Sequence, residues 1–211
     1  MTTYFKEEKV CAYCGKTVNV TVIGSTNAFG ACDLDMRPPE MKRSTVRMEL
    51  QVCPYCGYAN YDLEKTPKNV EKFREIFPAL PKGNNIVENY RLAGDIRRLA
   101  DDNHDLAFCM YLYGAWCADD MRNAEDAKKM RMLALQEAKC LLKEKKNLSP
   151  DFILRVSDIA RRVEKFDYAS SLLEQANALS PRDLVAKLIA FEQRLIDAKD
   201  TACHSISEAE K

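Results

Sequence analysis

Apolar and polar positions alternate in two stretches near the start of the chain. In Lys16–Gly24, Val18, Val20 and Val22 alternate with polar residues, and in Ser44–Val52 so do Val46, Met48, Leu50 and Val52. Period-two alternation with β-branched residues predicts half-buried strands. Between them GSTNAFGACDLDMRPPEM, rich in Gly, Pro, Asn and Asp, predicts a long loop. Thr66-Pro67 is a helix start, with Thr66 as N-cap, and the helix should reach about Phe77. FPALPKGNN, with Pro78, Pro81 and Gly83, reads as a linker. From Ile86 to about Lys199 the pattern is helical, broken at Asn147-Leu148-Ser149-Pro150 and Leu179-Ser180-Pro181. Each break places Ser before Pro, the N-cap and first-turn pattern of a new helix. The polar tail, Thr201–Lys211, is expected to fray. The expected fold class is α+β: a small β module over residues 1–66, a connecting helix and linker over 67–85, and an all-α domain over 86–211.

Two copies of one device lie in the first module: Cys11-Ala-Tyr-Cys14-Gly15 and Cys53-Pro-Tyr-Cys56-Gly57. A Cys-x-x-Cys turn sets two thiolates about a tetrahedral edge apart. The glycine after it permits a tight turn that aims backbone N–H groups at the sulfurs. Two such turns make a closed four-thiolate site, so Cys11, Cys14, Cys53 and Cys56 are the expected ligands of a structural zinc ion in a zinc-ribbon-like module. Iron in a rubredoxin-like site is the minor alternative, because softness and geometry suit both metals. The 38 residues between Cys14 and Cys53 are no obstacle, since loop closure costs only logarithmically more with length. A redox pair would sit at a helix N-terminus within a βαβ pattern, and none is visible.

The segment Cys32–Arg43 is the least generic stretch. Cys32 stands beside Asp33 and Asp35, and Arg37, Lys42, Arg43 and Arg47 cluster with Glu40 as the one acid among them. Read functionally, Cys32, Asp33, Asp35, Arg37, Lys42 and Arg43 form a binding loop whose cations meet an anionic group. Read structurally, the acids bond the loop's own backbone, and this second reading is favoured. Cys32 as a nucleophile is weaker still. No His lies in the module, and Asp33 would raise a thiol pKa rather than lower it.

The helical part carries tetratricopeptide-like marks. Counting back from Pro181, Ala169 and Ala176 take the small positions of a second helix, and Phe166 and Tyr168 sit at the turn. Ala127 and Ala134 repeat that offset, with Ala115 at the small position of the preceding helix. The helix holding them overruns to about Lys146, and residues 183–199 would cap the array. Phe108, Tyr111, Tyr113 and Trp116 are expected in the core, with groove lining as the alternative, Cys109, Cys117 and Cys140 as buried apolar residues, and His104 and His204 unpaired at the surface.

Composition narrows the function. The 211 residues carry 32 basic and 32 acidic side chains, and the first 66 residues balance in the same way. A nucleic-acid binder usually has a basic excess. No apolar run reaches the roughly 18 residues of a membrane span, and the first ten residues lack a secretory apolar core. A cytoplasmic protein is therefore expected, where paired cysteines favour metal over disulfide.

Three elements together, Cys11–Gly15, Cys32–Pro39 and Cys53–Tyr58, resemble a family of uncharacterised bacterial proteins built on a domain of unknown function. Its members join paired Cys-x-x-Cys elements to tetratricopeptide-like helices. The resemblance implies zinc and an interaction role, with no activity to carry over. The expected function is a zinc-stabilised adaptor or scaffold that takes a protein or peptide partner in a helical-repeat groove, with no catalytic activity evident. The alternatives are a zinc-ribbon nucleic-acid binder through Arg37–Arg47 and an enzyme using Cys32.

Overall fold

A computed structural model describes residues 1–144 and 149–210. The chain forms two compact units, Met1–Ala28 with Met41–Glu137, and Phe29–Glu40 with Ala138–Lys211. The boundaries expected at residues 66 and 85 fall inside the first unit. The layout is α+β: short antiparallel strand pairs accompany eight α-helices among the described residues. None of the helices is long and apolar enough to cross a membrane.

In the first unit, β1 (Thr3–Val10) pairs antiparallel with β2 (Thr17–Ser25), with Val10 opposite Thr17. Val18 and Val20 face inward as their alternation predicts. β1 itself was not expected, because six of its eight residues are exposed and leave no apolar pattern. Two-residue strands follow: β3 (Ala28–Phe29), β4 (Glu40–Met41), β5 (Gln51–Val52) and β6 (Ala59–Asn60).

The strand expected over Ser44–Val52 is a correction: Lys42–Glu49 is helix α1, and only Gln51 and Val52 are extended. Thr45 and Val46 are its buried positions, and Leu50, the extended residue that caps its C-terminus, is buried beside them, a placement that the four alternating residues concealed. α2 (Val70–Ile76) begins three residues after the Thr66-Pro67 signal. Asn69 caps it by accepting the Lys72 N–H at 2.9 Å. α3 (Ile86–Leu99), α4 (His104–Asp120) and α5 (Ala124–Glu144) follow. Asn85, Asn103 and Asn123 each accept first-turn N–H groups, the role for which asparagine is favoured before a helix. The expected overrun to Lys146 and the break at Asn147-Leu148 lie outside the described residues.

Phe108, Tyr111 and Trp116 are buried as expected, and Tyr113 is half-buried and stacks on Trp116 with ring centroids 4.7 Å apart. Of the helical cysteines, Cys117 is buried, while Cys109 and Cys140 are only partly so. His104 is a correction: its Nδ1 lies 2.6 Å from Glu137 Oε2.

The second unit holds α6 (Pro150–Arg162), α7 (Phe166–Ala178) and α8 (Asp183–Asp197), with α8 packed on both predecessors. Ser149 caps α6 as predicted, accepting the Phe152 N–H at 3.3 Å. Ser180 does not cap α8. It takes φ +53° and closes α7 by donating its N–H to Asn177 O, and α8 starts at Asp183. Ala160, Ala169 and Ala176 are fully buried, which lets these helices approach closely.

The tail does not fray. Ser205 pairs with Asp33 as an antiparallel bridge, and a short 3-10 helix (Ile206–Glu210) follows. His204, expected free at the surface, places its two ring nitrogens 2.9 Å from Glu208 and 3.0 Å from Asp200.

Candidate metal centre

The two Cys-x-x-Cys turns fold alike. Gly15 N–H bonds Cys11 O at 2.8 Å and Gly57 N–H bonds Cys53 O at 2.9 Å. Cys11 N–H then bonds Lys16 O, and Cys53 N–H bonds Tyr58 O. The two glycines take φ +70° and +81°, a region where a side chain is strained. This shared geometry points each turn's first sulfur inward, so that Cys11 and Cys53 are buried while Cys14 and Cys56 are partly covered.

The turns converge. Cys11 Sγ lies 3.6 Å from Cys56 Sγ, and Cys14 Sγ lies 3.7 Å from Cys53 Sγ. All four sulfurs lie within 4.8 Å of one another. A tetrahedron of ~2.3 Å zinc–sulfur bonds has edges of about 3.8 Å. The four cysteines can therefore hold one metal ion, and all four positions are filled by protein.

No protein-family model matches the chain, and neither a curated protein nor a solved structure matches it. What the centre can do follows from its own geometry.

Electrostatics agree with a cation at this point. Burial pushes the Cys11 thiol up. Burial, together with the crowding of three neighbouring sulfurs, pushes Cys56 well above the usual thiol range. Burial opposes ionisation of Cys53 too, but the N–H groups of Cys56 and Tyr55 and the adjoining thiols hold it below its ordinary value. Four sulfurs this close ionise together only around a positive ion, so metal binding releases protons.

The centre stands on a core rather than on a flexible arm. Cys11, Val18, Val20, Cys53, Tyr58, Leu63, Phe73, Leu92, Ile96 and Ala100 form one buried cluster, which joins the turns to α2 and α3. Tyr13 packs edge-on to Phe73 with centroids 5.4 Å apart, and its hydroxyl donates to Pro78 O at 3.1 Å. Arg97 of α3 reaches under the turns, bonding Asn60 Oδ1 and the Asp101 carboxylate. Asn60 donates to Lys65 O and to the Tyr58 hydroxyl, so the clamp is fully hydrogen-bonded.

The candidate binding loop separates into two parts. Lys42, exposed, and Arg43, half-buried, sit on α1 in the first unit. Cys32, Asp33, Asp35 and Arg37 belong to the second unit, and the last three are at most 5% exposed. There Asp35 Oδ1 accepts the Arg37 N–H at 3.1 Å, while Asp33 O accepts Met36 N–H at 2.9 Å, with Met36 at φ +67°. The Asp35 carboxylate thus bonds the loop's own backbone, as the structural reading expects, whereas the Asp33 carboxylate accepts from the distant Cys203 thiol.

Residues of α6 and of the tail, missed by sequence reasoning, complete the set. Arg162 pairs with Asp35 Oδ2 at 3.1 Å, Arg155 donates to Asp35 O at 2.9 Å, and the Cys203 thiol donates to Asp33 at 3.2 Å. Only the sequence separation of more than 100 residues hid these partners.

Proposed function

We propose that the chain is a zinc-stabilised adaptor, with a structural zinc ion held by Cys11, Cys14, Cys53 and Cys56 and a partner received in a helical groove. Sulfur-only donors at tetrahedral spacing, with no position left for water, support a structural rather than catalytic zinc. Tetratricopeptide-like pairing is supported by the burial of Ala115, Ala127, Ala134, Ala169 and Ala176, and by the contact of α8 with both α6 and α7.

The observation that carries the reading is an apolar groove in the first unit. Between α3 and α5 lies a hollow of about 510 Å³ with Met132 and Leu133 as its floor. It continues into a second hollow of about 260 Å³ that shares Arg91, Lys129 and Leu133 with it. The charged rim is largely self-neutralised, since Arg91 pairs with Asp95 at 2.9 Å and Lys129 with Glu125 at 2.7 Å. What remains on offer is the half-exposed pair Met132 and Leu133 on α5, beside the buried Val87 and Met130. That surface suits the apolar stripe of an amphipathic partner helix.

The test uses the intact chain as bait, with Leu133→Asp as the groove variant and Leu184→Asp as a control at an exposed apolar position on α8. The expected result is a partner captured by the wild type and the control and lost with Leu133→Asp. A peptide of that partner should bind as a helix. Equal capture by all three proteins removes the groove from the account. The phosphate-binding alternative has lost Arg37 to burial and would rest on Lys42, Arg43 and Arg47.

A further inference from the structure

Within the first unit, β1 and β2 form a sheet of two strands among the described residues. α1 packs on β2, which leaves β1 as the outer strand. Its Tyr4, Phe5 and Val10 are 45%, 58% and 50% exposed. A two-stranded ribbon is marginal in water, and a long edge with exposed apolar side chains is a template for another strand.

The hairpin shows which backbone groups of β1 face outward. Cys11 N–H crosses to Lys16 O at 3.0 Å, whereas Val10 N–H turns away to Glu64 Oε1 at 3.3 Å. Successive residues of an antiparallel pair alternate between these two directions. Lys6 and Glu8, at even offsets from Val10, therefore present their N–H and C=O groups on the outer edge. Phe5, Glu7 and Lys9 direct theirs to β2, where they stand opposite Val22, Val20 and Val18. Beyond Lys9 the edge is covered, because Glu64 takes the Val10 N–H and Leu63 O takes the Ala12 N–H at 2.8 Å.

Charge decides what fits this edge. Lys9 is held by Glu64 at 3.2 Å and Glu7 at 3.5 Å, but Lys6 and Glu8 are exposed and in no ion pair among the described residues. A second copy of β1, antiparallel to the first across a two-fold axis, must set outward residues against outward residues. With the axis at Glu7, Lys6 lies opposite Glu8 of the second copy, and Glu8 opposite its Lys6. Tyr4 comes level with Val10 of that copy and Phe5 with its Lys9. The two Glu7 side chains meet at the axis, each beside its own Lys9. An axis at Lys6 would set Lys6 against Lys6, and one at Glu8 would set Glu8 against Glu8. Opposite charges directly across an antiparallel pair stabilise it and like charges destabilise it, so the axis at Glu7 is selected.

We propose that the outer edge of β1 is a homodimer interface, in which two copies of the chain join through Lys6 and Glu8 into one antiparallel sheet ordered β2-β1-β1-β2. The symmetry makes the Lys6–Glu8 contact twice, and the backbone bonds of the same residues flank it.

Sedimentation velocity of the full-length protein over a concentration series tests this, with Lys6→Glu and Glu8→Lys as variants whose fold is checked by circular dichroism. The wild type should dimerise. Either variant alone sets like charges at both contacts and should weaken dimerisation by about tenfold or more. An equimolar mixture of the two variants should restore it, because the acidic positions of one then meet the basic positions of the other. Hydrogen exchange on the wild type gives a reading that needs no variant: the Lys6 and Glu8 amides should gain protection as concentration rises.

A wild type that stays monomeric throughout the series overturns the proposal. So do variants that dimerise as tightly as the wild type, since another surface would then hold the copies together. Folded variants whose mixture associates no better than either alone overturn it too, as does exchange at Lys6 and Glu8 that is independent of concentration.

Discussion

Glu192, on α8, is fully buried. Its Oε1 accepts the Arg161 Nε–H at 2.9 Å, and its Oε2 has no hydrogen-bond partner among the described residues. Arg161 is itself shared with Asp158 at 2.5 Å, so one guanidinium faces two buried carboxyl groups, with the more exposed Asp200 at 4.0 Å. Burial first, and then the charge of Asp158, push the Glu192 carboxyl up to about 9 against the pull of Arg161. An unfolded glutamate titrates near ~4.3. Between those two values the native chain holds a proton that the unfolded chain has released.

The sign follows directly. The stability tied to this proton is complete below the unfolded pKa and is lost as pH rises towards the folded one, by up to about 1.4 kcal/mol per pH unit. Glu192→Gln keeps the shape of the neutral side chain and cannot titrate. From about pH 6 to about pH 8 the wild type should therefore lose up to about 2.7 kcal/mol that the variant keeps. Urea unfolding followed by circular dichroism measures this, provided that the m-values of the two proteins agree. Stability profiles that run parallel to within about 0.5 kcal/mol would refute the reasoning and place an ionised Glu192 in the native state.

Further outcomes follow from other parts of the fold. Arg97→Met strips the counter-charge from buried Asp101 and the donor from Asn60, and should cost about 3–5 kcal/mol in thermal or urea unfolding. The glycines of the two turns should respond unequally. A Cβ at Gly57 would meet Pro81 O at 2.9 Å, whereas one at Gly15 meets nothing within 4 Å. Gly15→Ala should therefore cost about 1 kcal/mol from its positive φ alone, and Gly57→Ala clearly more, measured as unfolding free energies of the metal-loaded proteins. Ser149→Ala removes the α6 cap and should cost about 1 kcal/mol in the same assay.

The four-cysteine cluster was legible because two Cys-x-x-Cys-Gly turns of one type at fixed spacing are built to converge. The strand at Val18–Val22 and the helices after Ile86 were legible because their apolar periods extend far enough to be unambiguous. α1 was not, because its N-cap position is Met41 at φ +67° with no side-chain cap, and its short apolar run fits two periods. Thr66-Pro67 misplaced α2 because Asp101 takes the Lys68 N–H at 2.6 Å and Asn69 supplies the cap.

The two Ser-Pro pairs teach the same lesson. Ser149 begins a helix and Ser180 ends one, and only the turn each terminates or opens decides between the roles. The burial of Asp33, Asp35 and Arg37 was hidden for a different reason. Their partners, Arg155, Arg162 and the segment 203–206, lie over a hundred residues away, and charge in a loop looks the same whether it faces water or a guanidinium.

Metal analysis of freshly purified, never-chelated protein, joined to X-ray absorption at the metal edge, bears most directly on the central claim. The account predicts one zinc per chain with four sulfur neighbours at ~2.3 Å, abolished by Cys11→Ser with Cys53→Ser. A chain that carries no stoichiometric metal, or a metal bound by oxygen and nitrogen, would contradict it.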